Sequence, residues 1–337
     1  MKVIVDCHGA DLGVPAAVEG ALLALSGSPT LEVVLCGRRE EIKACLDGKN
    51  YDSARLSIAD AGEPVTNDDT PTVAVRRKKD SSMVRALTML GEGGGDAVVS
   101  AGNTGALLVG VNILVKCVKG VKRATMASVV TSLKGTPTLI ADMGANVDCK
   151  PEMLFAFAVM GSEYMRRALD VDSPKVALLS NGREKEKGNA LNHAAYELLE
   201  KGTFDFIGNV EPTDLMTGEA DVIVTDGFAG NMTIKAYEGM GKAMMSVIKE
   251  GIMSGGVKSK LGYLLLKDVL RQVKKKLSAD EVGGAVFLGA RGVVVKTHGA
   301  STAESYRKSV LNAEELAKRN IPKAMEEGMA KYEYSND

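Results

Sequence analysis

Apolar and β-branched residues recur along the chain in short runs that close on loops of Gly, Asp or Asn and give way to helical spacing. Six stand out: Lys2–Asp6, Leu31–Leu35, Asp96–Ser100, Thr138–Asp142, Lys175–Leu179 and Asp221–Thr225. Runs this short, bounded by turn residues, read as strands. Strands alternating with helices predict parallel βαβ units, and strands apolar at nearly every position must be covered on both faces. The expected fold is α/β: three αβα layers on a mostly parallel sheet, with ligands at the carboxyl ends of the strands. No Pro/Ser linker or low-complexity tract divides the chain, so 1–337 is read as a single αβα catalytic unit.

A different pattern occupies 242–277. Ala243–Met253 reads as one helix, Ser254-Gly-Gly256 interrupts it, and Val257–Leu277 reads as a second, so the pair projects as a helical hairpin. From Lys242 to Lys276 nine basic residues face only Glu250 and Asp268, a local net charge of +7 that leaves −8 on the rest of the chain. Leu261, Leu264, Leu265, Val269 and Leu270 alternate with Lys258, Lys260, Lys267, Arg271 and Lys274. That is the pattern of an interfacial helix drawn to anionic lipid. A packed interface with solvated lysines fits the same spacing.

Composition narrows the function classes. Of 337 residues 45% are apolar and 25% charged, with formal net charge −1, which excludes disordered and fibrous proteins and any global field for nucleic acid. Aromatics make up 4% and tryptophan is absent, which argues against base-stacking platforms. The five cysteines are an odd set without CxxC spacing, so neither a disulfide framework nor a zinc site is expected. No basic segment leads into an apolar core at the N-terminus, and no run reaches the ~18 apolar residues of a membrane span. A cytoplasmic location is expected.

The strand-end loops carry the candidate chemistry: Asp6–Asp11, Ser100–Gly105, Asp142–Asp148, Ser180–Asn189 and Asp226–Asn231. Glycines there let backbone N–H groups approach a ligand, and a helix N-terminus behind them favours an anion such as phosphate. Arg76-Arg-Lys-Lys79 precedes Ser81 and Ser82, which suits phosphate capture as well as a solvated charge run before a capped helix. Lys187, Asn189 and Asn231 offer an ammonium and two amides for a phosphate or a developing oxyanion, although Asn after Gly is also a common turn residue. Asp11, Asp68, Asp142, Asp148 and Asp226 suit capping better than a magnesium site, so no metal is expected. His8, His193 and His298 are scattered; His298 follows the apolar run 293–295 and either faces the same cleft or is structural. Neither GxGxxG nor GxxxxGK[ST] is present, nor a serine or cysteine triad context, so no cofactor is expected.

Longer motifs are more specific. Asp69–Met83, Ser100–Leu107, Gly144–Glu152, Lys187–Asn189, Phe206–Glu211 and Val224–Asn231 resemble, in order and over nearly the whole chain, the PlsX-type phosphate acyltransferases of bacterial phospholipid synthesis. The resemblance implies a homodimer with an αβα fold similar to phosphotransacetylases and isocitrate-type dehydrogenases. It implies transfer of a fatty acyl group from acyl carrier protein to inorganic phosphate, the acyl phosphate passing to a membrane glycerol-3-phosphate acyltransferase. Phosphate is itself the nucleophile in such a transfer, so the protein's task is positioning and oxyanion stabilisation. Lys187, Asn189 and Asn231 are the expected catalytic donors. Lys79, Ser81, Ser82, Ser100, Gly102, Asn103, Thr104, Gly105, Asn146 and His298 are expected to bind phosphate or the acyl donor, and Leu261, Leu264 and Leu265 to meet an anionic membrane peripherally. Two other readings stay open: a phosphotransacetylase-like enzyme using short acyl-CoA, and a non-catalytic carrier-protein or lipid-binding regulator. In the first loop the family's usual Asp-Ala-Met-Gly-Gly-Asp is replaced by Asp6-Cys-His-Gly-Ala-Asp11, with Ala10 in place of a glycine.

Overall fold

The computed structural model describes residues 1–276 and 283–332. Its strands are β1 (Lys2–Asp6), β2 (Glu32–Gly37), β3 (Leu56–Asp60), β4 (Ala97–Ser100), β5 (Thr125–Thr131), β6 (Pro137–Ala141), β7 (Lys175–Leu179), β8 (Asp205–Val210), β9 (Val222–Val224), β10 (Ala285–Leu288) and β11 (Val293–Lys296). They form one sheet in the order β3-β2-β1-β4-β11-β10-β5-β6-β9-β7-β8. All pairings are parallel except β5–β6, β5–β10 and β10–β11. Two of those exceptions follow from connection length: β5 to β6 turns through 132–136 and β10 to β11 through 289–292, too short for a crossover helix. β3, β5, β8 and β10 lack the signal of the six runs above. β3 and β8 are half-exposed edges, and β5 and β10 belong to the antiparallel insert.

Alternation along the strands builds three layers. Val3 and Val5, Val33 and Leu35, Ala97 and Val99, Val176 and Leu178, and Val222 and Val224 all enter one hydrophobic core. Helices Gly13–Gly27, Pro151–Leu169, Ala303–Lys318 and Ile321–Ala330 cover that face. The intervening residues point the other way, into two cores: Ile4, Val34 and Val98 beside helices Ser82–Gly91 and Thr104–Gly110, and Ala177 and Ile223 beside the helix that starts at Gly227. The fold is thus the mixed-sheet version of the expected αβα sandwich.

The antiparallel insert divides the sheet. β3, β2, β1, β4 and β11 run one way and β6, β9, β7 and β8 the other. The carboxyl-end loops therefore fall into two sets, after β1, β4 and β11 and after β6, β9 and β7, each contiguous in sheet order.

Helix Gly227–Ser254 is far longer than the 243–253 segment expected, because the apolar spacing of Ile234 and the turn before it extends the pattern back to the sheet. Gly255 and Gly256 break it, and Val257–Lys276 follows. Leu277 and the side chains of Lys260 and Lys274 lie outside the described residues. Leu261, Leu264 and Leu265 are 58%, 66% and 79% exposed, with Met240, Met244 and Val247 also uncovered on the first helix. Leu270 instead turns inward and is half-buried. Among the described residues no helix is long and apolar enough to cross a membrane.

Candidate active site

The first set of loops is organised around Asp6, at the end of β1 and almost fully buried. Its carboxylate accepts hydrogen bonds from Ser82 Oγ (2.6 Å), Ser100 Oγ (2.7 Å) and His8 N–H (3.2 Å). Burial pushes its pKa up, and those three donors oppose the rise. Ser100 Oγ also accepts from Gly102 N–H (3.1 Å), fixing the turn into helix Thr104–Gly110. The hydroxyl protons of Ser82 and Ser100 are thus committed to Asp6, which makes these serines holders of the loop. Lys296, paired with Ser100 in the β4–β11 register, reaches the Ala101 carbonyl (3.3 Å) and the Thr297 carbonyl. Burial lowers it to about 8, with Asp6 and Asp11 holding its proton.

Around this centre, Ser81 caps helix Ser82–Gly91, accepting from Val84 N–H (3.4 Å) and donating to the Lys78 carbonyl (2.7 Å). Asn103 caps the next helix through Ala106 N–H (2.9 Å), and its amide donates to the Thr66 and Asn67 carbonyls. A Cβ on Gly105 would lie 2.8 Å from Pro71 Cγ, and one on Gly102 would lie 2.4 Å from Met83 Cε, so both glycines serve packing. Lys78 pairs with Asp69 (2.7 Å), whereas Lys79 is exposed. Lys79 and Thr104 make no side-chain hydrogen bond or ion pair among the described residues, which leaves an ammonium and a hydroxyl free beside the cradle.

The substituted first loop keeps its course. Gly9, at φ +88°, supplies the left-handed turn and lets its backbone approach Gly102, whereas Ala10 has an ordinary φ. The glycine missing at position 10 is therefore not needed for conformation. His8 folds away against Gly37 and pairs with Glu41 (3.2 Å). His298 is exposed, and its Nδ1 accepts from Ala300 N–H (3.1 Å). The loop carrying it is tied in by Thr297 N–H to the Ser100 carbonyl (2.9 Å) and Asp11 N–H to the Gly299 carbonyl (2.8 Å).

The second set is built on Asp142, at the end of β6. One carboxylate oxygen accepts from Gly144 and Ala145 N–H (both 2.8 Å), the other from Asn146 N–H (2.9 Å) and the Asn146 amide (2.7 Å). Burial raises Asp142's pKa and these donors lower it. Asn146 is buried as a brace, its side-chain amide also donating to the Ala124 carbonyl (2.9 Å) and its backbone carbonyl accepting from Gly227 N–H (2.8 Å). Asp226 caps the Gly227–Ser254 helix through Ala229 N–H (2.7 Å). A Cβ on Gly230 would lie 1.8 Å from the Asp142 carbonyl oxygen, so only glycine permits that helix to start against this loop. Asn231 then sits over Gly144, its side chain about where a Gly144 Cβ would touch (3.3–3.5 Å).

On the neighbouring loop after β7, Asn189 caps helix Ala190–Leu199 in a reciprocal pair with Asn192, and the Lys187 stem folds over Gly182. Lys185 is engaged by Glu200 (2.6 Å) and lies over Tyr196. Neither the Lys187 ammonium nor the Asn231 amide has a side-chain partner among the described residues. Met143 and Ala145 of the second set pack on the hydrophobic cluster that also includes Ala106 and Leu107 of helix Thr104–Gly110.

Of the expected donors, Lys79, Thr104, Lys187 and Asn231 remain free for a ligand, and Asn189 uses only its amide oxygen as a cap, leaving its NH2 group without a partner among the described residues; Ser81, Ser82, Ser100, Asn103 and Asn146 are spent on local structure. Asp6 and Lys296 are not among the expected site residues, and Asp142 is expected only as a capping carboxylate, although each stands at a strand's carboxyl end. Lys296 lies two residues before His298, in the same Lys-Thr-His-Gly run.

Comparison with known proteins agrees with this architecture. Residues 1–324 match the family described as "Fatty acid synthesis protein". A phosphate acyltransferase of Clostridium botulinum (strain ATCC 19397 / Type A) is 41% identical over 329 residues, covering 98% of each chain. One from Clostridium acetobutylicum is 38% identical, covering 95% of this chain and 96% of that protein. Among solved structures, a phosphotransacetylase from Streptococcus pyogenes superposes with a TM-score of 0.57 at 18% identity, covering 95% and 94%, a likeness of fold alone. The chain belongs to the fatty acid synthesis protein family, the PlsX-type family that includes these phosphate acyltransferases.

Proposed function

We propose that this protein transfers a fatty acyl group from an acyl carrier protein thioester to inorganic phosphate, releasing acyl phosphate for phospholipid synthesis. The observation that carries the reading is the pairing of this family membership with unspent donors on strand-end loops whose other polar groups are largely committed to holding them in place. A phosphate oxygen attacks the thioester carbonyl, the carbonyl oxygen becomes an oxyanion, and the C–S bond breaks as the oxyanion collapses. The thiolate leaves and takes up a proton. Lys79 and Thr104, with the N–H groups of the Ser100–Gly105 turn, position the anionic nucleophile. Lys187 and Asn231 meet the oxyanion, where donors fixed in advance are most effective. Asp6 and Asp142 act through the loops they brace.

Incubation with hexadecanoyl carrier-protein thioester and labelled phosphate, with hydroxylamine as trap, is expected to yield phosphate-dependent hydroxamate, turned over faster than with acetyl- or butyryl-CoA. Preference for the short CoA esters would establish the phosphotransacetylase-like reading. Binding of thioester without acyl phosphate would leave a regulator.

The hairpin suits a peripheral role. Its exposed leucines and net charge of +7 support reversible docking on anionic lipid, next to the membrane glycerol-3-phosphate acyltransferase that consumes the product, in a homodimer. The protein is expected to pellet with phosphatidylglycerol vesicles at low salt and to be released as salt shortens the Debye length to about 3 Å near 1 M. Leu264→Glu and Leu265→Glu should abolish pelleting while soluble turnover persists. Loss of the dimer in place of lipid binding would assign the stripe to the subunit interface.

A further inference from the structure

A cavity of about 820 Å³ opens between the two hairpin helices and the loop after β11. Met245, Ile248 and Ile252 line it from the first helix and Tyr263 and Leu270 from the second. Lys242, Lys249, Lys267 and Arg271 also line it, against a single acid among the described residues, Glu238. His298 and Ala300 also line it, on the loop that Thr297 and Gly299 tie to Ser100 and Asp11 in the candidate site.

We propose that this cavity holds the fatty acyl chain, its methylenes against Met245, Ile248, Ile252 and Leu270 and its anionic end toward the cations and the His298 loop. The inference rests on the acyl-transfer reading and names where its substrate lies. Three observations favour a long acyl anion as occupant. The volume lies in the ~300–1,000 Å³ range of sites that enclose small ligands, and a two- to four-carbon acyl group would leave it largely empty. The charge is one-sided, which suits an acyl phosphate. Lysine and arginine stems can lie along a chain while their heads stay in water at its charged end. Each methylene enclosed should strengthen binding about fourfold.

The chain has no tryptophan, so Ile252→Trp introduces a single tryptophan, excited apart from the tyrosines, inside the cavity and Val247→Trp one on the exposed face of the same helix. The probe is a brominated hexadecanoyl phosphonate, which cannot transfer its acyl group, titrated without vesicles. Saturable quenching at Ile252→Trp, little at Val247→Trp, and an affinity that falls about fourfold per methylene removed are expected. In the kinetic arm, Met245→Trp should lower kcat/KM for the hexadecanoyl thioester at least tenfold relative to the hexanoyl one. Absent or length-independent quenching at Ile252→Trp, or equal quenching at both positions, overturns the assignment, as does a Met245→Trp effect equal for both chain lengths. If acyl phosphate forms while Ile252→Trp stays unquenched, the cavity assignment alone falls. If quenching is seen and no acyl phosphate forms, the reaction assigned above falls and the chain site stands.

Discussion

Asp6→Ala is expected to lower the free energy of unfolding by about 3–5 kcal/mol, because it strips the partner from several buried groups at once. Ser82 Oγ, Ser100 Oγ and His8 N–H lose their acceptor, and the Lys296 ammonium loses the carboxylate that helps to keep it charged. The cavity left by the carboxyl group adds to the cost. Asp6→Asn keeps the shape and one acceptor and should lose less than half as much. Titration separates the two variants further. Since burial lifts Asp6 above the ordinary carboxylate value of 3.8, the folded state holds a proton that the unfolded chain has released, so stability falls as pH rises from about 3.8 to the raised value. Lys296 acts in the alkaline window: lowered to about 8 from 10.5, it releases its proton earlier in the fold, and stability rises between those values. Urea unfolding across pH should show the acid-side slope in the wild type and not in Asp6→Asn. A change under ~0.5 kcal/mol in Asp6→Ala, the range of ordinary surface substitutions, would mean that the network contributes nothing.

Which parts of this molecule were legible in its sequence follows from where the information resides. Strands such as β1 and β4 are apolar on both faces, so their runs are unmistakable, and the glycine-bearing loops behind them follow directly. β3, with only Leu56 fully buried, carries no such signal because an edge strand has one covered side. The direction of β5 and β10 was hidden because nothing in a strand's composition fixes its sense, which only the short turns after them decide. At the site, residue type identified the loops correctly but not the division of labour within them. Ser82 reads as a phosphate-binding hydroxyl until Asp6, 76 positions earlier in the chain, is seen to take its proton. Long-range partners of that kind are set by sheet order, so a serine's availability is a tertiary property. Lys187 and Asn231 stay free of side-chain partners among the described residues, whereas their sequence neighbours Lys185 and Asp226 are taken up by Glu200 and by the Ala229 N–H.

That freedom sets up the largest functional effect. Lys187→Ala and Asn231→Ala are each expected to cut kcat about a hundredfold or more, since a preorganised donor to a developing oxyanion contributes roughly 2.7–4 kcal/mol in the transition state. Stability should barely change, because neither polar group is used by the folded protein itself; the alanine at 187 loses only the stem's contact with Gly182. This contrast with Asp6→Ala distinguishes a catalytic donor from a brace. Binding of a non-transferable thioester analogue should stay close to wild type, because the charge to be stabilised does not yet exist in the bound ground state. Asn231→Asp should be worse than alanine, placing a carboxylate over Gly144 where negative charge develops, and Lys187→Arg should restore part of the rate. If both residues address one oxyanion, the double variant should lose less than the product of the single losses, because the second truncation removes help from a charge already poorly held. Losses that multiply independently would place the two on different groups of the reacting complex, one on the oxyanion and one on the incoming phosphate. A variant that keeps kcat but loses the analogue would move its residue to the donor-binding surface.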